Sequence, residues 1–361
     1  MSNAREIAQL GSVPSGRRNL IINGAMQVAQ RGTSGSVGAG FTFVLDRWSQ
    51  RYQSTDELAA TVTQDTDAPD GFSNSYKWTT TTGETAIASD EYVYVNYKME
   101  GQDAQRLAYG SASAKSVTIS FWVKSSVTGT YALALYQADG ARIINKTYTI
   151  DSANTWEKKS VTIVGDTGGT INNDNGEGLR VIFHLAVGSD SKSVDSSSWV
   201  NYVGGAWGYG HNQDGVVTTT SATWQITGVQ MEVGSVATEF EHRSYGEELA
   251  LCQRYYYKHI DGSEGGFAGA GAYVTNTRLD IAVHFPVTMR AAPTIVQTTG
   301  SEYYYTYDGA FDYFDGWNGV TSSTTKGTFL YVLSNVSGDI GQAITVTANN
   351  SSATVAFNAE L

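Results

Sequence analysis

The stretch SVTISFWVKSS, residues 116–126, places Val117, Ile119, Phe121 and Val123 at alternate positions, with Thr118, Ser120, Trp122 and Lys124 between them. A repeat of two is the period at which side chains leave opposite faces of a β-strand, so the segment reads as a strand with one face in a core. GTYALALYQ (129–137), WEKKSVTIVG (156–165), LRVIFHLAVG (179–188) and TWQITGVQMEVG (223–234) read the same way, separated by turn-rich stretches such as GDTGGTINNDNGEG (165–178). Many short strands with few helix signals predict an all-β chain, with a jelly-roll or β-sandwich domain over 18–243. Strand character resumes at TRLDIAVHFPV (277–287), which predicts a second β-sandwich domain over 260–361. Its end, QAITVTANNSSATVAFNAEL (342–361), reads as a hairpin turning at Asn349-Asn350-Ser351, with Val346, Val355 and Phe357 buried.

One segment breaks the pattern. EFEHRSYGEELALCQRYYYKH (239–259) carries a capping box, Ser244 with Glu247, in which each side chain satisfies a free amide at a helix start. Glu247 and Glu248 in the first turn, and Arg254 and Lys258 in the last, suit the helix dipole. A helix over 244–259 follows, joining the two β domains, with Leu249, Cys252 and Tyr256 on one face and Tyr255 beside it. Two readings stay open: a helix packed on its own sandwich, or one that buries a subunit interface through Leu249, Cys252, Tyr255 and Tyr256. At the other end, AREIAQL sets Ile7 and Leu10 three apart, which predicts a short helical arm over 1–17.

Composition excludes several functions. A net charge of -12 repels phosphate backbones, so nucleic acid is not an expected partner. No apolar run reaches the roughly 20 residues of a membrane span, so no membrane insertion is expected. The first residues lack the basic-then-apolar order of a signal peptide, and the single cysteine cannot form an intrachain disulfide, which together fit synthesis in a cytosol. Five histidines are scattered without metal-ligand spacing, and His184 and His284, both in strand-like runs, read as hydrogen-bonded structural residues. GGFAGAGAY (265–273) contains a G-x-G but reads as a loop. With no nucleophile elbow, zinc motif or phosphate loop, no catalytic residue, metal or cofactor is expected and the chain reads as a non-enzyme.

Four stretches carry a resemblance: RNLIINGAMQVAQRGTS (18–34), LDRWS (45–49), VQMEVGSVATEFEHRSYGEELALCQRYYYK (229–258) and HFPVTMRAAPTI (284–295). Together they resemble a family of bacteriophage virion proteins, tail-fibre or tail-appendage subunits. The middle domain is also similar to jelly-roll carbohydrate-binding modules that open with an NLIxNG-like strand. Such modules commonly hold a structural calcium beside that strand; here those places read Ala25-Met26-Gln27 and Thr227-Gly228, without a carboxylate. Asp174 and Glu177 read as a polar turn or a different cation site, and Asp46 with Arg47 as an ion pair near a buried Trp48. The resemblance implies a homotrimer in a virion tail or appendage, assembled in the host cytoplasm beside other phage tail or virion proteins. It implies an arm that docks to the virion through Ile7 and Leu10, and attachment to host cell-surface polysaccharide. A capsid decoration or cement protein is one alternative; a polysaccharide-degrading tail enzyme is the other.

Sugar recognition needs exposed rings for the apolar faces of pyranoses, beside acids and amides for their hydroxyls. EYYYTYDGAFDYFDGWNG (302–319) has that mix, giving Tyr303, Tyr305, Tyr307, Asp308, Asp312, Tyr313, Asp315 and Trp317 as candidates. Alternation would put Tyr303 and Tyr305 on one face and Tyr304 on the other. SSSWVNYVGGAWGYGHNQDG (196–215) adds Trp199, Trp207 and Tyr209 in a glycine-rich loop. Core packing with polar turns is the competing reading for both stretches.

Overall fold

A computed structural model describes residues 17–38, 40–53, 56–307 and 309–361. The chain is all-β and divides into two compact units at Arg243/Ser244. The proposed arm, with Ile7 and Leu10, lies outside the described residues.

The first unit is a sandwich of two antiparallel sheets. One has six strands in the order Ser34–Ser36, Ala59–Asp65, Ser75–Thr82, Thr223–Val233, Val117–Ser125 and Glu157–Ile163. The other has seven: Val200–Asn201, Arg142–Ile150, Gly129–Gln137, Glu177–Val187, Tyr92–Glu100, Trp48–Gln53 and Thr42–Phe43. Central pairs are distant in sequence, with Thr223–Val233 beside Ser75–Thr82 and Val117–Ser125, and Glu177–Val187 beside Tyr92–Glu100, the connectivity of a jelly roll. Val117, Ile119, Phe121 and Val123 are buried between the sheets as expected, but the polar face is covered as well: Thr118 and Ser120 are buried, and only Trp122 and Lys124 are partly exposed.

Three separated sequence stretches lock the sandwich shut. Asn19, buried, donates from Nδ2 to the Val229 carbonyl at 3.1 Å and accepts from the Met231 and Ile21 amides at 3.1 and 2.9 Å. The Glu241 carboxylate takes the amides of Arg18 and Asn19, while Arg243 donates to the carbonyls of Asn19 and Ile21. Asn23, at φ +57°, accepts from Val28 N and donates to the carbonyls of Val28 and Asp46, and its own carbonyl takes the Trp48 indole N–H. A left-handed backbone suits Asn, which few other side chains tolerate. Asp46 accepts from Gln30 and pairs with Arg31, and Arg47 bonds the Lys98 carbonyl, so LDRW serves the interior.

The second unit is also a sandwich. A small sheet, Tyr256–Asp261, Thr354–Asn358 and Thr294–Gln297, faces a large one. The large sheet runs Phe311–Phe314, Tyr304–Tyr307, Ala343–Ala348, Phe267–Thr275, Arg278–His284, Gly327–Val332 and Gly319–Thr321. Ile281, Leu330, Val346, Val355 and Phe357 belong to the core between them.

Three local expectations are corrected here. The helix covers Tyr245–Gln253 only, with Ser244 Oγ accepting from Glu247 N at 3.3 Å as its cap. Residues 256–261 leave it as a strand paired with Thr354–Asn358, because a run of tyrosines favours a pleated surface once a partner strand is present. Ala343–Ala348 and Thr354–Asn358 do not form a hairpin; they lie in different sheets, and the Asn349 turn carries the chain across the core. GGFAGAGAY is no loop: Phe267–Thr275 is an interior strand, and a Cβ on Gly271 would meet the Asp280 carbonyl oxygen at 1.9 Å.

Replacing Asn23 by Ala strands three buried backbone groups and strains a left-handed residue, at a cost of about 3 kcal/mol. Seven of the eight tryptophans lie in the first unit, so tryptophan fluorescence in a denaturant titration should register an earlier transition. An unchanged midpoint would refute the knot as a stabilising feature.

Candidate functional site

In the large sheet of the second unit, Tyr304–Tyr307 and Phe311–Phe314 pair as a hairpin, with Tyr305 opposite Tyr313 and Tyr307 opposite Phe311. Alternation then sorts the rings. Tyr304 and Phe314 point into the core and stack at 5.2 Å, while Tyr307, Phe311 and Tyr313 are 51%, 55% and 40% exposed. With half-buried Tyr305 these rings form one patch, with centroids 4.9 Å apart for Tyr307–Phe311, 5.4 Å for Tyr305–Phe311 and 6.0 Å for Tyr305–Tyr313. Phe311–Phe314 is the last strand of its sheet, so the patch sits at an open edge.

The remaining candidates of this stretch have other work. Tyr303 packs half-buried on the core rather than beside Tyr305, since the strand begins at Tyr304. Trp317 is 4% exposed against Tyr304 and Phe314, with its backbone bonded twice to Gln297. Asp312 holds the Ser337 amide and Asp315 the Glu302 amide, which makes both loop anchors. Asp308 lies outside the described residues. Phe311, absent from the sequence candidates, belongs to the patch; it could have been found from its place two residues before Tyr313.

The 196–215 loop roofs the outer face of the first unit's seven-stranded sheet. Trp207 packs on Tyr202 at 4.7 Å, Tyr136 at 5.4 Å and Tyr94 at 6.1 Å, and Tyr94 stacks with Tyr92 at 5.6 Å. Trp199 stands apart, edge-on to Tyr109, and anchors its loop by donating to the Val164 carbonyl at 2.7 Å. Tyr209 is half-buried in the same loop. Beside the tyrosines, Phe41 is met by Lys98 at 4.0 Å and by Arg51 and Arg180 at 5.1 Å, while Glu177 bonds Arg180 at 2.8 Å and pairs with Lys98 at 3.4 Å. Burial lifts the Tyr92 hydroxyl to about 12, so it stays a neutral donor. Sequence reading missed this cluster, although EYVYVNYK (91–98) sets Tyr92 and Tyr94 two apart, the spacing of one strand face.

Under that roof lie two buried histidines. His184 is fully buried, 6.3 Å from His211 between ring centroids. Around it the Tyr94 ring lies edge-on at 5.8 Å, and the backbone at Trp207 is its polar neighbour. Desolvation, then the nearby His211, push its pKa down to about 3. His284 is exposed at a strand end.

Of the interface candidates, Cys252, Tyr255 and Tyr256 are buried within the chain and present no surface to another copy, whereas Leu249 is half-buried. The turn at Asp174 holds its own Gly176 amide, and Glu177 is engaged with cations. No cluster of three metal-ligating residues occurs among the described residues. No described helix is long and apolar enough to cross a membrane.

No family profile matches the sequence. No curated protein matches it. Solved structures similar to the chain include the enzymatically active domain of bacteriophage CBA120 tailspike protein 4, at 12% identity and TM-score 0.34, covering 60% of this chain and 21% of that one. A family 11 carbohydrate-binding module from Clostridium thermocellum is 14% identical with TM-score 0.28, over 58% of this chain and all of the module. TmCBM61, solved with β-1,4-galactotriose, is 10% identical with TM-score 0.29, over 60% of this chain and all of that one. The chain thus spans about a fifth of the tailspike domain and the full length of the modules.

His184 yields a pH prediction. The folded protein keeps it neutral down to about pH 3, while the unfolded chain takes up a proton below its ordinary 6.5. Stability is therefore full above 6.5 and falls as the pH drops below it, by up to about 1.4 kcal/mol per pH unit from this residue. Denaturant titrations between pH 6.5 and 4.5, above the range of most carboxylates, should register that slope. His184→Phe should reduce it, leaving the part due to His259, which burial also holds below its ordinary value; an equal slope in the variant would assign the acid sensitivity elsewhere.

Proposed function

We propose that this chain is a phage virion subunit, of a tail fibre or tail appendage, that attaches to host-surface polysaccharide through the Tyr305, Tyr307, Phe311 and Tyr313 patch. The observation that carries the reading is the exposure of Tyr307, Phe311 and Tyr313 on one strand face. A soluble domain leaves contiguous aromatic surface in water where something binds it, and pyranose faces stack on such rings. Similarity in fold to carbohydrate-binding modules and to a phage tailspike domain supports it, as do the four stretches resembling tail-fibre subunits. The role is adhesive: the described acids of the patch region, Asp312 and Asp315, hold backbone amides, which supports loop anchoring over acid–base work. Assembly is as a homotrimer with the segment before Arg17 toward the rest of the virion. Cys252, Tyr255 and Tyr256 drop out of the interface, which leaves Leu249 of the original four.

Two measurements test this. On immobilised microbial polysaccharides, Tyr307→Ala with Phe311→Ala should weaken binding by about 2 kcal/mol, the loss of two stacked rings, without changing thermal stability. Equal binding by the variant would remove the patch from attachment. Light scattering behind a sizing column should give three times the 38.8 kDa chain; a monomer mass would exclude the self-assembled trimer.

A further inference from the structure

The aromatic hairpin is one end of a longer feature on the outer face of the same large sheet. Register places Tyr307 opposite both Phe311 and Thr345, Thr345 opposite Ala270, and Ala282 opposite Phe329. Ala270 and Ala282 stand on adjacent strands, each two residues along from the paired Ala272 and Asp280. The row thus begins with two exposed rings, crosses threonine and two alanines, and ends at Phe329, 42% exposed. Its far half is a cleft of about 470 Å³ floored by Ala270, Ala272 and Ala282, with Phe329 as a wall. The strand that read as a loop in sequence makes the depression, because its alanines and glycines raise nothing above the backbone. From Tyr307 to Phe329 is four strand spacings, about 19 Å, the length of about four sugar rings.

One ion pair lines the cleft. Arg278 donates twice to Asp280, at 2.7 and 2.9 Å, and lies 4.7 Å over the Tyr331 ring. Its charges cancel, so the cleft attracts neither polyanions nor polycations, and the chain's net charge of -12 further disfavours acidic polymers. Guanidinium N–H groups and carboxylate oxygens side by side offer donors and acceptors together, which suits hydroxyls that both give and take. A peptide extending the sheet would instead use the open edge at Phe311–Phe314 and run along the strands.

Building on the attachment reading above, we infer that the large sheet binds a neutral, linear glycan lying across its strands, with rings seated on Tyr307/Phe311 at one end and Phe329 at the other. Calorimetry on the full chain would use neutral glucose, galactose and mannose oligomers of two to six units, and galacturonate oligomers of the same lengths. Affinity for a neutral series should rise to four units and then level, with the uronates at least tenfold weaker. Phe329→Ala should weaken the tetramer about tenfold and leave the dimer unchanged, whereas Tyr307→Ala should weaken both. A tetramer indifferent to Phe329→Ala, or uronates bound as tightly as neutral chains, would overturn the groove. The hairpin reading would survive either result, because dimer binding would still depend on Tyr307. Binding of no oligomer would overturn both.

Discussion

Phe183 is the contact on which the first unit turns. Its buried ring meets Phe121 at 5.1 Å, Trp224 at 5.9 Å, Trp48 at 6.3 Å and Tyr148 at 6.4 Å, two from each sheet. Rings of this size, meeting edge-on or tilted, hold two sheets at one separation and fix the register of five strands at once. A slip of one residue along Glu177–Val187 would drive Arg180, Ile182 and His184 into the sandwich and turn Phe183 out. The outer face is therefore determined by the inner one. Arg180, with the tyrosines around it, faces outward because Phe183 and Val181 do not.

The same constraint explains what could be read from sequence. Strands whose apolar residues alternate with polar ones, such as 117–125, declare themselves by that period even where the polar face is covered, and both sandwiches follow from it. Asn19, Asn23, Glu241 and Arg243 lie in the stretches that resemble phage virion proteins, yet nothing in sequence says that these stretches meet. The hydrogen bonds that tie Asn19 to Glu241 and Arg243 join residues more than 200 positions apart. Those stretches turn out to close the fold and not to form a site. The aromatic hairpin is legible in composition, and Phe311 follows from its place two residues before Tyr313, but Tyr303 is set aside only once the strand is known to start at Tyr304.

Two failures have one cause. GGFAGAGAY looked like a loop because glycine weakens a strand by itself, and YYYKH looked helical because it continued a helical run. In both, pairing with a neighbouring strand overrode local preference: Phe267–Thr275 lies between two strands, and Tyr256–Asp261 meets the last strand of the chain. Propensity describes a segment alone, whereas a sheet supplies hydrogen-bond partners from elsewhere in the chain.

Each unit has a sheet face turned away from its core, and the two faces use aromatic residues differently. In the first unit, Trp207 and Tyr202 come down from a loop and cover Tyr94 and Tyr136, so the rings satisfy one another and a histidine is sealed beneath them. In the second, Tyr307, Phe311 and Phe329 have no such roof among the described residues. Burying them under a loop would have gained about 1.5–3 kcal/mol for each large apolar side chain. The large sheet forgoes that gain at both ends of a row whose centre is kept low by alanine. Stability alone favours covering such rings, so a face that leaves them in water, separated by a shallow floor, is better explained by a ligand that covers them than by the needs of folding.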